Sequence, residues 1–435
     1  MPRAIHPSPA LARIGATLAL LVALLSCPPA RAVELVFNYP IAVGGPIARL
    51  VDEMAAEFER ENPGIRVKPV HSGSYNETLT KSLTARRAGQ GPHLAVLLAS
   101  DVFSLVDEDA IVAIEDLLRT DEDRAWMQEF VPALMSNSRV AGKTWSVPFQ
   151  RSTVVLYWNK DAFRQAGLDP EAPPATWDEM VEAARRLVLR DAAGRVQRWG
   201  IQVPSSAFPY ALLQCFAEQA GARLADEDGL RTHLDTPEAI RALQFWVDLS
   251  RRHGVHPPGI VDWGTAPADF LLGKVAMTWV TTGNLAHIQA NARFPFGVAM
   301  LPADLRRGSV PGGGNLYVFR GASPREQEAA LRFARFLTAP ERAAQWSIDT
   351  GYIAVSDVAW RTARMRSHLA ANPSAGVARD QLQHVRAEFS THDNQRVAKA
   401  FNDAIQSALT GARSPADALA AAQREAERLL RPHRR

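Results

Sequence analysis

An early part of the sequence alternates between short apolar runs and longer segments with helical spacing. The runs at Val33–Tyr39, 65–70 and Leu94–Leu98 are rich in branched apolar residues and have the length of buried strands. Between them, apolar side chains recur every three or four residues over 47–58, and a second helical segment covers 77–87. Strands that alternate with helices predict a parallel sheet covered by helices, which is an α/β fold.

The chain of 435 residues is long enough for two or three lobes, each with its own core. A second region of alternating patterns opens after Gly142, with a predicted strand at 153–157 and a helix capped by Thr176. A stripe of apolar residues from Val397 to Leu409 predicts a packed helix near the C-terminus. Since no low-complexity linker interrupts the chain, we expect lobes that are joined by short crossings.

Residues 1–32 have the pattern of an export signal. Arg3 and Arg13 form a basic start, an apolar run follows, and Ala30-Arg31-Ala32 gives the small-x-small cleavage pattern. The apolar run is shorter than the roughly 20 residues that a membrane-spanning helix needs. We therefore expect a periplasmic protein whose mature form begins at Val33.

The chain contains two cysteines, Cys27 and Cys215. Cys27 follows a Leu-Leu-Ser triplet that loosely resembles a lipoprotein box, so a lipid anchor at Cys27 is the alternative to release into the periplasm. Pro28 and the cleaner cleavage pattern downstream favour loss of Cys27 with the signal. Cys215 would then have no partner for a disulfide, and a large apolar core must stabilise the protein.

The distribution of charge excludes a nucleic-acid partner. The formal net charge is +3, and residues 1–32 carry all of it because they hold three arginines and no acidic residue. The remainder of the chain is therefore formally neutral. A neutral body lacks the basic surface that binds the phosphates of nucleic acids.

The sequence holds no recognisable catalytic motif. It has no Gly-x-Ser-x-Gly elbow, no Walker loop and no His-Glu-x-x-His pair, and we predict neither a metal site nor a cofactor. Cys215 lies in an apolar helical pattern, which favours a buried structural thiol over a nucleophile. An exported hydrolase is therefore the least favoured of the functions considered.

Several residues favour ligand binding instead. Among the ten tryptophans, Trp177, Trp263 and Trp279 are better placed than the others to face a cleft, where an indole ring can pack on a sugar or polyol. The glycines at 312–314 are expected to form a loop whose backbone N–H groups could hold an anion. Arg151, next to Ser152 and Thr153, offers a cation for a phosphate or a carboxylate.

The run VPFQRSTVVLYWNKD at 147–161 resembles the segment PF…ST…LYYNKD of the extracellular solute-binding proteins that serve ATP-binding-cassette importers. The sequence GSYNE at 73–77 is similar to GNYEQ in the glycerol-3-phosphate-binding members of that family. The likeness runs in order through most of 33–430. Its further landmarks lie at 166–170, 173–177, 276–278, 350–352 and 410–415.

The resemblance implies a two-lobed periplasmic binding protein fold of the α/β class, with the ligand cleft between lobes that are joined by short hinge crossings. It implies a first lobe of residues 33–145 and about 296–350. The implied second lobe comprises about 146–295 and 351–435.

The resemblance also implies binding roles for particular residues. Tyr75 and Tyr352 would donate hydrogen bonds to ligand oxygens, and Trp177 would pack on the carbons of a glycerol unit. Ser152 and the backbone of Gly313 would hold phosphate or hydroxyl oxygens. A further hydroxyl would come from Thr281, where the family has a serine.

Two positions depart from the family pattern. Ala99 stands where a glutamate would bind glycerol hydroxyls, so that contact is lost. The arginine that would grip phosphate has no clear match, because Arg396 is nearest in sequence but the spacing places Ala398 in register. Arg151 could compensate.

We therefore expect a periplasmic monomer that captures glycerol 3-phosphate or a related glycerophosphodiester by lobe closure and delivers it to the membrane subunits of an importer. The alternative is a binding protein of the same fold for a neutral sugar or oligosaccharide. Phosphate dependence of binding would separate the two.

Overall fold

The computed structural model of the protein describes residues 32–434. The predicted export signal up to Arg31, including Cys27, lies outside the described residues. The strands are β1 Val33–Tyr39, β2 Ile65–His71, β3 Leu94–Leu98, β4 Arg139–Val140, β5 Lys143–Thr144, β6 Val147–Asn159, β7 Leu189–Arg190, β8 Val196–Gln202, β9 Val275–Thr281, β10 Phe296–Ala299 and β11 Pro311–Val318.

The α-helices alternate with these strands along most of the chain. They are α1 Ile47–Glu61, α2 Tyr75–Arg87, α3 Val102–Asp107, α4 Asp121–Gln128, α5 Lys160–Gln165, α6 Trp177–Leu187, α7 Pro209–Gln219, α8 Pro237–Arg251, α9 Ala266–Leu271, α10 Leu285–Asn291, α11 Pro324–Thr338, α12 Pro340–Thr350, α13 Ala363–Ala371, α14 Val377–Gln381, α15 Asn394–Thr410 and α16 Pro415–Leu430. Among the described residues, no helix combines the length and the apolar character that crossing a membrane requires.

The α/β prediction is confirmed. β1 pairs in parallel with β2 and with β3, as the alternation of strands and helices predicted. β11 joins the other edge of β3 in the antiparallel direction and then pairs with β6, so the sheet is mixed. The strand order through this part is β2-β1-β3-β11-β6.

Strand β6 links two halves of the molecule. Its first half, Val147–Thr153, pairs with β11, whereas its second half pairs with β9 and β10. All 13 residues of this strand are buried. The sequence predicted a strand only at 153–157, because the Pro148 and Gln150–Ser152 positions break the apolar run.

The buried side chains form one large core on each side of this shared strand. One core covers the sheet of β1, β2, β3 and β11 and includes Phe37, Phe58 and Phe333; we call this side the first lobe. The other surrounds β8, β9 and the second half of β6 and includes Phe216 and Trp246; we call this side the second lobe.

The predicted residue bounds of the lobes stay a prediction. The packing favours a different assignment of one segment, since Tyr352, Trp360 and Leu382 lie in the first-lobe core. Helices α15 and α16 pack in the second-lobe core, through residues such as Phe401 and Leu419. The chain therefore crosses between the cores three times, along β6, on entering β11 and after Leu382.

The expected loop at 312–314 is wrong, because these glycines lie inside β11. Gly312 pairs with Ser152, Gly313 with Arg151 and Gly314 with Leu98. A side chain at Gly313 would bring its Cβ to 2.1 Å from the carbonyl oxygen of Gln150, and the backbone φ there is +98°. Gly313 thus allows β11 to approach β6 more closely than a residue with a side chain could.

Replacing Gly313 by alanine should destabilise the protein, because the new Cβ meets a backbone atom and the left-handed φ is strained for an L-residue. We expect a loss of about 1–3 kcal/mol in the free energy of unfolding. Thermal denaturation of the purified variant measures it. Gly312→Ala is the matched control, since a Cβ there has no atom within 4 Å. Equal melting temperatures for the two variants would contradict this account of β11.

Candidate functional site

A cavity of about 40 Å³ lies where β6 and β11 cross between the lobes. Five of the eight predicted ligand-binding residues line it, namely Tyr75, Ser152, Thr281, Gly313 and Tyr352. The volume is enough for a few water molecules, since one water needs roughly 10–15 Å³ of such a cavity. The walls of the candidate site are thus close together in this structure.

Strands β6 and β11 form the floor of the site. Ser152 is 4% exposed and stands opposite Gly312 in the ladder. Thr281 ends β9 beside the second half of β6, and its hydroxyl accepts a hydrogen bond from Asn284 at 3.4 Å. The floor therefore presents two hydroxyl groups and the backbone of the glycines.

Two tyrosines contribute from the first lobe. Tyr75 begins α2, whose start is fixed by a capping box in which Ser74 and Glu77 bond to each other's backbone N–H. Its hydroxyl donates to Oε1 of Gln150 at 3.2 Å. Burial raises the pKa of Tyr75 well above its ordinary value, so the hydroxyl remains a proton donor.

Tyr352 is positioned by the end of α12. Gly351 terminates this helix with φ +89°, and the next backbone N–H, that of Tyr352, donates to the Thr350 hydroxyl at 3.0 Å. The ring of Tyr352 stacks on Trp346 at 5.9 Å, and N–H of Ile353 donates to the carbonyl of Arg151 at 2.7 Å. The Tyr352 side chain is thus fixed against β6.

Arg151 lies behind the floor of the site and does not line the cavity. Its guanidinium is fully buried and donates through Nη1 to the carbonyl of Gly313 at 3.0 Å and through Nη2 to the carbonyl of Pro311. Nε has no acceptor among the described residues. Burial lowers the pKa of Arg151, and the negative charge of Glu388 opposes that effect.

Two predicted residues lie away from the cavity. Trp177 is 6% exposed in the second-lobe core, where it stacks on Phe245 at 4.0 Å and its Nε1 donates to Gln219 at 2.6 Å. Arg396 lies in the first turn of α15, pairs with Asp393 at 3.0 Å and lines a separate opening of about 490 Å³. Neither side chain is in place to contact a ligand in the central cavity.

Phe208 and Trp263 supply the aromatic surface that was predicted for Trp177. Their rings meet edge to face at 5.2 Å, and both line the cavity. Trp263 also donates from Nε1 to the carbonyl of Ala42 at 3.3 Å, a hydrogen bond from the second lobe to the first. Of the three tryptophans predicted to be well placed for a cleft, Trp263 alone lines this cavity.

The backbone before Phe208 is strained. Ala207 has φ +57°, a conformation that costs a residue with a side chain about 1–2 kcal/mol. Phe208 then extends toward Tyr75, with ring centroids 6.4 Å apart. Openings of about 490 and 530 Å³ also have Phe208 in their walls, so this ring lies between the central cavity and both openings.

Glu388 is the charged residue of the cavity lining, and no sequence motif indicated it. The residue is 4% exposed, and its Oε1 accepts a hydrogen bond from the Tyr210 hydroxyl at 2.7 Å. Oε2 has no partner among the described residues. Burial raises the pKa of Glu388 to about 7, although the positive charge of Arg151 acts in the opposite direction.

The third crossing between the lobes holds Glu388 in place. Asn137 of the first lobe exchanges two hydrogen bonds with the Glu388 backbone, at 2.8 and 2.9 Å. Gln214 on α7 accepts from the backbone N–H of Phe389 at 2.7 Å and donates to the carbonyl of Ala387 at 2.9 Å. Both lobes therefore fix the position of this carboxylate.

A larger cavity of about 1040 Å³ lies on another side of the third crossing. It is lined by residues of both lobes, including Met135, Asn137 and Arg386, and it shares Glu388 with the central site. None of the eight predicted binding residues lines this larger cavity. The hydroxyl-rich central cavity is therefore the candidate ligand site.

The central cavity is suited to binding. Hydroxyls, backbone groups and one carboxylate can hydrogen-bond a polar ligand, while Phe208 and Trp263 can pack on its carbon atoms. Cys215 lies in the second-lobe core, where burial raises its pKa to about 12, so its thiol is a poor nucleophile.

Known proteins are similar to this chain in sequence and in architecture. The sn-glycerol-3-phosphate-binding periplasmic protein UgpB of Escherichia coli K12 is 28% identical over 407 residues, covering 89% of this chain and 90% of the relative. UgpB of Salmonella typhimurium is 28% identical over 405 residues with the same coverage.

Solved structures resemble the chain over nearly its whole length. UgpB from Mycobacterium tuberculosis in complex with glycerophosphocholine has a TM-score of 0.80 at 24% identity, covering 92% of this chain and 99% of that one. Maltose-bound MalE3 of T. maritima has a TM-score of 0.79 at 23% identity, covering 92% and 100%. These likenesses show the fold, and they confirm the predicted two-lobed binding protein architecture.

The family model described as bacterial extracellular solute-binding protein matches residues 53–371. That span includes β2 to β11 and both lobes. Sequence, sheet topology and the cavity between the lobes agree, and the chain belongs to the bacterial extracellular solute-binding proteins.

Proposed function

We propose that this protein captures a glycerophosphodiester or sn-glycerol 3-phosphate between its lobes and delivers it to the membrane permease of an ATP-binding-cassette importer. The observation that carries the proposal is the convergence of Tyr75, Ser152, Thr281, Gly313 and Tyr352 on one cavity at the crossing of β6 and β11. The relatives that bind sn-glycerol 3-phosphate support this class of ligand. The same relatives are periplasmic proteins, which supports a periplasmic location.

Lobe closure is the proposed mechanism. A cavity of about 40 Å³ has no room for a ligand to enter, so the Trp263–Ala42 hydrogen bond and the Phe208–Tyr75 contact must separate first. An open form binds the ligand, and closure then completes the contacts. A ligand shifts this equilibrium only by its difference in affinity for the two forms.

The charged side chains at the site favour binding of the glycerol hydroxyls over the phosphate in the central cavity. Glu388 lines the cavity and its Oε2 has no partner among the described residues, whereas Arg151 donates from Nη1 and Nη2 to backbone carbonyls. A carboxylate accepts hydrogen bonds from hydroxyls and repels a phosphate dianion. We therefore place the glycerol hydroxyls in the central cavity. A diester with one negative charge suits this site better than glycerol 3-phosphate does.

A neutral sugar is the second candidate ligand. Phe208 and Trp263 offer ring faces to the cavity, and aromatic rings pack well on the apolar faces of sugars. Proteins of the same fold include one solved with maltose and one that binds cyclic alpha-maltosyl-1,6-maltose. In either case we propose a monomer that binds its ligand without catalysis or a cofactor, as its relatives are binding proteins.

Removing the Ser152 hydroxyl should weaken ligand binding. Ser152→Ala leaves a ligand oxygen unpaired in a buried site, which costs about 1–3 kcal/mol and thus roughly ten-fold or more in affinity. Isothermal titration with glycerophosphocholine, sn-glycerol 3-phosphate, glycerol and maltose measures it. The matched control is Ser407→Ala, whose hydroxyl bonds to the carbonyl of Ala404 within α15. Tight binding of maltose alone would select the sugar alternative. Unchanged affinities in Ser152→Ala would contradict the site itself.

Glu388→Gln should change which ligands bind. At pH 8 most Glu388 side chains are ionised, so the substitution removes a negative charge from the cavity. We expect the affinity for sn-glycerol 3-phosphate to rise relative to that for glycerophosphocholine. The measurement is the ratio of the dissociation constant for sn-glycerol 3-phosphate to that for glycerophosphocholine, which is determined for the wild type and for the variant and then compared. A ratio that stays the same would show that the carboxylate does not sense ligand charge.

The same substitution should flatten the dependence of stability on pH. Because the pKa of Glu388 is raised to about 7 in the folded protein, the folded state holds a proton that the unfolded state loses near the ordinary value of 4.5. Stability is therefore highest below pH 4.5 as far as this group is concerned, and it falls as pH rises to 7.

Melting temperatures between pH 5 and 8 test this expectation. Wild type should lose more stability over that range than Glu388→Gln. Asp101, whose pKa burial raises to about 6, contributes to both curves, so the difference between them reports Glu388. Parallel curves would mean that the Glu388 carboxylate is not desolvated as the structure indicates.

A further inference from the structure

Three residues that are distant in the sequence meet at the surface between the lobes. Nδ1 of His392 lies 2.8 and 2.9 Å from the two carboxylate oxygens of Asp107, and Nδ1 of His433 lies 3.4 Å from one of them. Candidate ligand atoms of all three residues lie within 4.8 Å of one another. The side chains are 17–30% exposed, which leaves an approach from solvent.

The three side chains are contributed by different lobes. Asp107 ends α3, which packs through Val102, Phe103 and Leu105 beneath the sheet of the first lobe. His392 follows the third crossing, and its backbone N–H donates to the carbonyl of Gly229 at 3.1 Å. The cluster therefore lies where α3 of the first lobe meets the end of the third crossing.

His433 belongs to the C-terminal turn that follows α16 of the second lobe. Arg434, next to it, donates from Nε to the carbonyl of Leu230 at 2.9 Å, which holds this turn against the loop at Gly229. That loop in turn contacts the first lobe, since a Cβ on Gly229 would lie 2.9 Å from the ring of Phe103. The histidines are thus held on the second-lobe side of the contact.

Packing orients the two imidazole rings. The rings of His392 and His433 stack with centroids 4.9 Å apart and planes at 26°. The ring of Phe103 lies 4.8 Å from that of His392 on another side. Both Nδ1 atoms consequently face the Asp107 carboxylate.

Two imidazoles and a carboxylate are a ligand set for Zn²⁺, which binds histidine nitrogen and carboxylate oxygen at about 2.0–2.2 Å. Tetrahedral ligands at that distance are separated by roughly 3.3–3.5 Å. The Nδ1–oxygen distance of 3.4 Å at His433 lies within this range and the distance of 2.8 Å at His392 is shorter, so small side-chain rotations would accommodate the ion. Solvent would supply the fourth ligand.

We propose that Asp107, His392 and His433 form a zinc site that joins the first lobe to the second. Because ligands from both lobes meet in this structure, where the walls of the cleft are close together, zinc binding favours this form over one in which the lobes have separated. By linkage, a solute that closes the lobes raises the affinity for zinc by the same factor by which zinc raises the affinity for the solute. The ion site does not depend on the proposed solute, whereas its effect on closure depends on the proposed lobe motion.

Zinc titration of the chelator-treated protein tests the site. Isothermal titration should give one saturable site per chain, and Asp107→Asn, His392→Ala and His433→Ala should each weaken it by about ten-fold or more. The matched control is His233→Ala, because His233 forms a comparable exposed pair with Asp226 at 2.9 Å, and no third ligand completes that pair in the described part of the chain. Wild-type zinc affinity in the three triad variants would overturn the proposal. Absence of saturable zinc binding to the wild-type protein would overturn it as well, and a wild-type protein that still binds solute would then leave the proposed function standing.

Small-angle scattering tests the link to closure. Adding zinc to the solute-free protein should reduce the radius of gyration, and His433→Ala should abolish this change. His433 is partly exposed near the C-terminus, so its replacement leaves both cores intact. A radius of gyration that does not respond to bound zinc would overturn the assignment of the ion as a bridge between the lobes.

Discussion

The pairing of β6 with β11 joins the two lobes and positions the candidate site between them. One buried strand of 13 residues belongs to the sheets of both lobes, and β11 approaches it closely because Gly313 has no side chain. This pairing places Ser152 and Gly313 on the floor of the cleft. The Ile353–Arg151 backbone bond then brings Tyr352 to the same place. The candidate site is thus a direct consequence of how the two lobes share a strand.

Two buried charges accompany that crossing. Arg151 bonds to the carbonyls of β11, and Glu388 is held by Asn137 from one lobe and through its neighbours by Gln214 from the other. Each charge offsets part of the cost of burying the other, as the opposing effects on their pKa values indicate. Glu388 lines the cavity, whereas Arg151 bonds to the backbone behind it. We propose that this arrangement gives the cleft a preference for hydroxyl groups.

Local sequence patterns predicted β1, β2, β3, part of β6 and helices such as α1 and α6, whereas the five cavity residues were predicted from the resemblance to the solute-binding family. Trp177 was expected at the site because it begins a helix, but Phe245 and Gln219 hold it in the core. Glu388 could not be predicted, because its burial arises from contacts with residues such as Asn137, 251 positions away. The glycines of β11 were predicted to form a loop, because nothing in the neighbouring sequence indicates that they pair closely with another strand. The cluster of Asp107, His392 and His433 could not be predicted for a similar reason, because Asp107 and His392 are 285 positions apart.

We propose that the ligand is held between the lobes on the β6–β11 floor, and a crystal structure of the protein grown with glycerophosphocholine is the decisive test. We expect glycerol hydroxyls within hydrogen-bond distance of Glu388, with Ser152, Tyr352 and the Gly313 backbone around them. Ligand density in the cavity of about 1040 Å³ beside Met135 and Arg386, with the central site unchanged, would contradict it.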